Sequence, residues 1–149
     1  MNAPAPVPRL TVITLGVSDM RASIAFYEAM GFARKFAATG EVVAFFETGG
    51  AVLALFPWDQ LARDAALPEA PRPVAFRGMT LAWNCRSREE VDVVLDFAIS
   101  NGASLLKTAH ETDYGGYSGY FADPDGHPWE VVVAPNIDVG EDRRVHLPD

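Results

Sequence analysis

One order of elements occurs twice in this sequence, and that repetition restricts the fold more than any single motif does. Leu10 to Val17 is an apolar run of strand length. Ser18 or Asp19 can cap a following helix that runs to about Met30. Within it Met20, Ile24, Tyr27 and Met30 recur at helical spacing and make one apolar stripe. Gly31 stands where a helix ends in a left-handed residue. Three strands are expected next, at about 33–38, 41–47 and 51–56, with Gly49-Gly50 as the hairpin signal between the last two. The order then restarts. Residues 78–84 read as a strand, and Ser87 with Glu90 has the spacing of a capping box. Val91, Val94, Leu95, Ala98 and Ile99 form the apolar face of a second helix, closed by Gly102. Strands are expected at about 104–108, 116–122 and 128–134, the last two joined by a turn at Asp123-Pro124-Asp125-Gly126. The class is therefore α+β, built from two βαβββ modules.

The expected layout is an N-terminal arm at 1–9, one domain at 10–135 and a polar tail at 136–149. Module one covers about 10–57 and module two about 78–135. The connector, 58–77, has room for a short helix near 59–66, while Pro57, Pro68, Pro71 and Pro73 keep the rest irregular. The tail is expected to strap the surface or to fray.

A length of 149 residues suits one domain, and 49% hydrophobic with 21% charged residues is an ordinary globular mix. A formal net charge of -8 argues against nucleic-acid and anionic-membrane partners, which select clustered Lys and Arg. Cys85 is the sole cysteine, so neither an intrachain disulfide nor a thiolate zinc site can form. The first residues, MNAPAPVPR, lack the pattern of a signal peptide, and the longest apolar runs are too short to span a bilayer. A cytoplasmic protein is expected.

TLGVSDM at residues 14–20 leading into SIAFY at 23–27, together with GYFADPDGHPWE at 119–130, resembles the glyoxalase/bleomycin-resistance/extradiol-dioxygenase (vicinal oxygen chelate) superfamily. The resemblance covers about Leu10 to Pro135. It implies that the modules form a curled mixed sheet around a central cleft, with modules paired within a chain or across a homodimer. It also implies that metal-dependent relatives hold a divalent ion by ligands from the first and fourth strands of each module.

Matching motifs puts those four positions at Val12, Ala54, Met79 and Glu130. Only Glu130 offers a donor for a hard or borderline cation, and such ions need about three or more protein ligands. No metal and no cofactor is expected. Of the histidines, His110 is expected in a loop before the seventh strand, His127 on the surface of the turn and His146 in the tail.

Counting every second residue, the inward positions are Val12, Thr14 and Gly16; Val52, Ala54 and Phe56; Met79, Leu81 and Trp83; Ser118 and Tyr120; and Glu130 with Val132. Glu130 and Tyr120 are the candidate catalytic pair. Thr14, Phe56, Trp58, Met79, Trp83 and Ser118 are candidate ligand contacts, with Trp83 and Tyr120 flanking Glu130. Tyr114 and Tyr117, with Gly115, Gly116 and Gly119, read as a loop that could gate the cleft. Three functions stay open. The first is metal-independent binding or sequestration of a small hydrophobic or aromatic molecule. The second is a metal-free lyase or isomerase using Glu130 as base. The third is the metal-dependent chemistry of relatives, which needs a Lewis-acid or redox ion.

Overall fold

The computed structural model describes residues 3–149; Met1 and Asn2, part of the expected arm, lie outside the described residues. Module one comprises β1 (Val12–Val17), α1 (Met20–Ala29), β2 (Ala33–Lys35), β3 (Ala44–Glu47) and β4 (Val52–Pro57). A short helix, α2 (Trp58–Asp64), opens the connector. Module two comprises β5 (Leu81–Asn84), α3 (Arg88–Ser100), β6 (Ser104–Glu111), β7 (Tyr117–Ala122) and β8 (Pro128–Val133). Each module forms a four-stranded mixed sheet, in the orders β1-β4-β3-β2 and β5-β8-β7-β6. The two sheets have the same topology, with the first and fourth strands paired in parallel.

The helix boundaries follow from capping chemistry. Asp19 accepts the backbone N–H of Ala22 at the start of α1. Ser87 accepts that of Glu90 at the start of α3, while the Glu90 carboxylate takes the N–H of Arg86, one residue earlier than in a regular capping box. Gly31 and Gly102 follow the two helices at φ of 96° and 99°, a region closed to most L residues. Val91, Val94, Leu95 and Ala98 are buried as the periodicity requires, whereas Ile99 is exposed beyond the edge of the stripe. The second strand stops at Lys35 because Phe36 turns left-handed into a 3-10 turn at Ala37–Thr39. β6 continues to Glu111, so His110 lies on a strand and not in a loop.

One core joins the modules. Leu15, Val17, Ile24, Tyr27, Phe46 and Leu55 from module one pack into the same cluster as Val91, Leu95, Phe121, Trp129 and Val131 from module two. The Asp123–His127 turn locks this contact. Asp125 accepts the backbone N–H and hydroxyl of Ser18, both at 2.8 Å, and the Arg72 guanidinium at 2.8 Å. Tyr27 donates its hydroxyl to Asp123 at 2.6 Å. His127 is buried rather than on the surface, since its Nε2–H donates to the Gly16 carbonyl at 2.7 Å, which leaves Nδ1 to accept from Arg77 at 2.9 Å. What reads as a solvent-facing turn is thus the fastening between modules.

The tail does not fray. It forms the hairpin β9 (Asp138–Val139) and β10 (Val145–His146). Arg86 donates to the Val139 and Gly140 carbonyls, and Arg144 donates to the Gly49 carbonyl at 2.9 Å. The tail therefore touches both modules. No helix among the described residues is long and apolar enough to cross a membrane.

Candidate functional site

The site is decided by which face of each sheet packs on the core. In β1, Leu15 and Val17 point into the core, so Val12 and Thr14 lie on the opposite, open face. The register pairs Thr14 with Ala54 and Gly16 with Phe56 on that face. In β8, Trp129 and Val131 are core, so Glu130 and Val132 share the open face of the second sheet. Parallel pairing sets Ala82 beside Glu130 and Asn84 beside Val132.

This corrects the alternation expected for β5. Trp83 does not flank Glu130. It pairs with Val131, and its ring meets Phe32 at 5.5 Å on the core side, with Leu81 on the same side. Burying the largest residue of a short strand fixes its pleat, and a shift of one residue exchanges both faces. Met79 precedes β5, is 46% exposed, and borders a separate cavity of 180 Å³ with Leu15, Arg77, Leu81, His127 and Pro128. Trp58 begins α2 and does not border the cavity that Glu130 faces. Its ring stacks on His127 at 6.1 Å beneath the Arg77 guanidinium at 5.1 Å.

Three candidates do come together. Tyr120 stands across the ladder from Glu130 and donates its hydroxyl to Oε2 at 2.5 Å. Ser118, only 2% exposed, reaches the same oxygen at 3.5 Å. Among the described residues Oε1 takes part in no hydrogen bond, and Glu130 in no ion pair. The carboxylate faces an open cavity of 490 Å³ bordered by Asn84, Tyr114, Val132, Ala134, Pro135 and the tail residues Asn136 and Ile137. Asn136 holds a left-handed φ of 62°, a conformation asparagine tolerates better than most residues. Sequence periodicity cannot reach these tail residues, because they come to the site by a turn after β8. Asn84 reaches the site through the pairing of β5 with β8, which sets it beside Val132.

The hydrogen bond to Glu130, followed by burial, pushes the Tyr120 phenol up to about 12. At neutral pH it is therefore a donor and not a base. A pKa raised in the folded state stabilises the fold while the phenol is protonated. This contribution is intact below pH of about 10, the ordinary tyrosine value, and is lost as pH climbs towards about 12. Tyr120→Phe is expected to flatten the fall in stability over that window, measured by urea unfolding at stepped pH. An unchanged slope would mean that the bond to Glu130 does not persist in solution.

The donor set can be tested against the ion that the fold implies. The first-strand residues level with Ala54 and Glu130 are Thr14 and Ala82. Neither these nor Val12 and Met79 supply an imidazole, carboxylate or thiolate. No three His, Cys, Asp or Glu side chains converge among the described residues. One carboxylate whose bonded neighbours are a phenol and a hydroxyl does not fit a zinc, iron(II) or manganese centre. The Cys85 thiol cannot substitute, being buried in the core and pushed up to about 12 by desolvation and Glu90.

Two mixed four-stranded sheets of identical topology, a shared core and a carboxylate on the open face of the eighth strand define a class. The chain belongs to the glyoxalase/bleomycin resistance protein/dioxygenase superfamily, which it matches over residues 9–131. It is similar in structure to a glyoxalase-related enzyme from Fulvimarina pelagi, with 35% identity, 96% of this chain and 100% of that chain covered, and a TM-score of 0.84. A superfamily enzyme from Burkholderia phytofirmans PsJN shares the fold at 22% identity, covering 85% and 99% of the two chains with a TM-score of 0.73. In sequence the chain is 26% identical to the metallothiol transferase FosB of Lysinibacillus sphaericus (strain C3-41) over 144 residues, 95% of each chain.

Proposed function

We propose that this chain binds a small, partly apolar molecule in the cavity over Glu130, without a resident metal. The observation that carries the reading is the cavity itself: Val132, Ala134, Pro135 and Ile137 with Asn84 and Asn136 border an open recess beside one carboxylate already oriented by Tyr120. The names of relatives include a metallothiol transferase. The donor set described above gives no support for carrying metal chemistry over, and a shared fold does not transfer activity.

Ala134→Phe tests the reading by filling the cavity from its wall. With 1-naphthylmethanol as a neutral aromatic probe, ligand-observed NMR in the presence of EDTA should show binding to wild type and at least a fivefold weaker signal response with the variant. Equal binding to both would place the probe elsewhere and refute the reading.

A second reading keeps the same site and adds turnover. The short Tyr120–Glu130 hydrogen bond suits a metal-free isomerase or lyase in which Glu130 takes a proton and Tyr120 donates a hydrogen bond. Deuterium exchange into a bound carbonyl substrate that disappears in Glu130→Gln, with binding kept, would support it over sequestration.

A homodimer belongs to the same proposal. Val12 is 42% exposed on the open face of the first sheet, and Thr14 beside it is exposed too. A second copy against that face would remove this apolar surface from water. Light scattering that returns only the single-chain mass would refute it. A cytoplasmic setting is proposed as well, on the single reduced cysteine. Secretion of the native chain into the culture medium would refute it.

A further inference from the structure

We infer that the cavity over Glu130 selects a small organic cation, an ammonium or amidinium group carried on an apolar body. The inference rests on the binding reading above and narrows it to a ligand class. Three observations lead to it.

The first is charge. Of the residues bordering the cavity, Glu130 alone carries a carboxylate, and no Arg, Lys or His is among them. Across the ladder, Lys107 stands opposite Tyr120 and His110 opposite Ser118, and neither borders the cavity. Arg86 is committed to the tail carbonyls.

The second is the division of labour at the carboxylate. Oε2 takes the Tyr120 hydroxyl at 2.5 Å, with Ser118 at 3.5 Å, which fixes the plane of the group. Oε1 is left without a hydrogen-bond donor among the described residues, and the carboxylate without a counter-ion. A ligand N–H is the donor this oxygen lacks, and a charged N–H gives the stronger bond.

The third is the lining. Asn84 and Asn136 add amide oxygens that can accept further N–H groups, and Val132, Pro135 and Ile137 take the apolar body. An anionic ligand would meet an uncompensated carboxylate in a chain of net charge -8.

Three probes of nearly equal shape decide the matter: 1-naphthylmethylammonium, 1-naphthylmethanol and 1-naphthoate, titrated at low salt into wild type, Glu130→Gln and Tyr120→Phe. The expected order for wild type is cation, then alcohol, then anion, with the cation bound roughly tenfold or more tightly than the alcohol, a factor that corresponds to about 1.4 kcal/mol. Glu130→Gln should abolish that preference, so that cation and alcohol bind the variant within about twofold of one another. Tyr120→Phe keeps the carboxylate and should keep the preference, which guards against a folding defect in the first variant. The wild-type preference should also shrink as salt is raised. Equal binding of all three probes would overturn the cation class while leaving the cavity as a binding site. Tighter binding of the naphthoate would overturn it as well. Failure of every probe, the alcohol included, would overturn both the binding reading and the inference.

Discussion

Asp123→Ala should cost about 3–5 kcal/mol, far above the roughly 1 kcal/mol of an average substitution. Asp123 is 3% exposed and is surrounded by donors. Its Oδ1 accepts the backbone N–H groups of Asp125 and His127, both at 2.9 Å, and Oδ2 accepts the Tyr27 hydroxyl at 2.6 Å. The Tyr27 hydroxyl in turn accepts the indole N–H of Trp129 at 3.1 Å. Alanine would leave two buried backbone donors and a buried phenol with nothing to bind. Burial is the largest cause of a Tyr27 pKa raised well above its ordinary value, and it persists without Asp123, so the phenol cannot escape this loss by ionising. A fall in melting temperature of roughly 10 °C or more is expected for a domain of this size. Asp123→Asn retains one carbonyl oxygen for the backbone N–H groups and should recover part of the loss. A drop below about 1 kcal/mol for the alanine variant would show that the turn does not fasten the modules.

Gly119→Ala should cost about 2–3 kcal/mol and disturb the site as well. A Cβ at Gly119 would lie 2.5 Å from Leu95 Cδ1, 3.0 Å from the Ala109 nitrogen and 3.1 Å from the Lys107 oxygen. The leucine methyl can swing aside; the two backbone atoms cannot. They belong to the stretch of β6 where the register with β7 shifts between Lys107 and His110, and there the strand backbone bulges towards Gly119. Relieving the clash moves β7, which carries Ser118 and Tyr120 on either side. The variant should therefore lose stability in denaturant melts and weaken probe binding at Glu130 together. Gly31→Ala is the contrast: nothing lies within 4 Å of its would-be Cβ, and only its φ of 96° is penalised, by about 1–2 kcal/mol, with binding untouched. Equal effects from the two variants would refute the close approach at β7.

Much of this molecule is legible in its sequence because the information is local. The helix stripes, the caps at Asp19 and Ser87 and the glycines at 31 and 102 depend on neighbours within a few residues. So does the alternation in β1 and β8, where two core residues at spacing two leave no doubt about the faces. Repetition of that local grammar was enough for two βαβββ modules, and the absence of imidazole, thiolate and further carboxylate at the strand positions could be read directly.

The cavity was not legible, for three reasons of long-range origin. The parity of β5 follows from Trp83 packing on Phe32, a contact across some fifty residues that no periodicity in a four-residue strand can announce. The tail is held against the second module by Arg86, which binds two of its carbonyls, and backbone acceptors carry no sequence signature. The Asp123–His127 turn has the composition of an exposed loop, yet it is buried because its carboxylates and imidazole satisfy donors and acceptors on the other module. The sequence alone thus determined which side chains are available to the site. Packing between modules decided which of them meet there: Glu130, Tyr120 and Ser118 remained together because they share one antiparallel ladder, while Trp83 was drawn to the core by the burial of its own apolar area, Trp58 stacks with His127 and Arg77, and Met79 precedes the strand at a separate cavity.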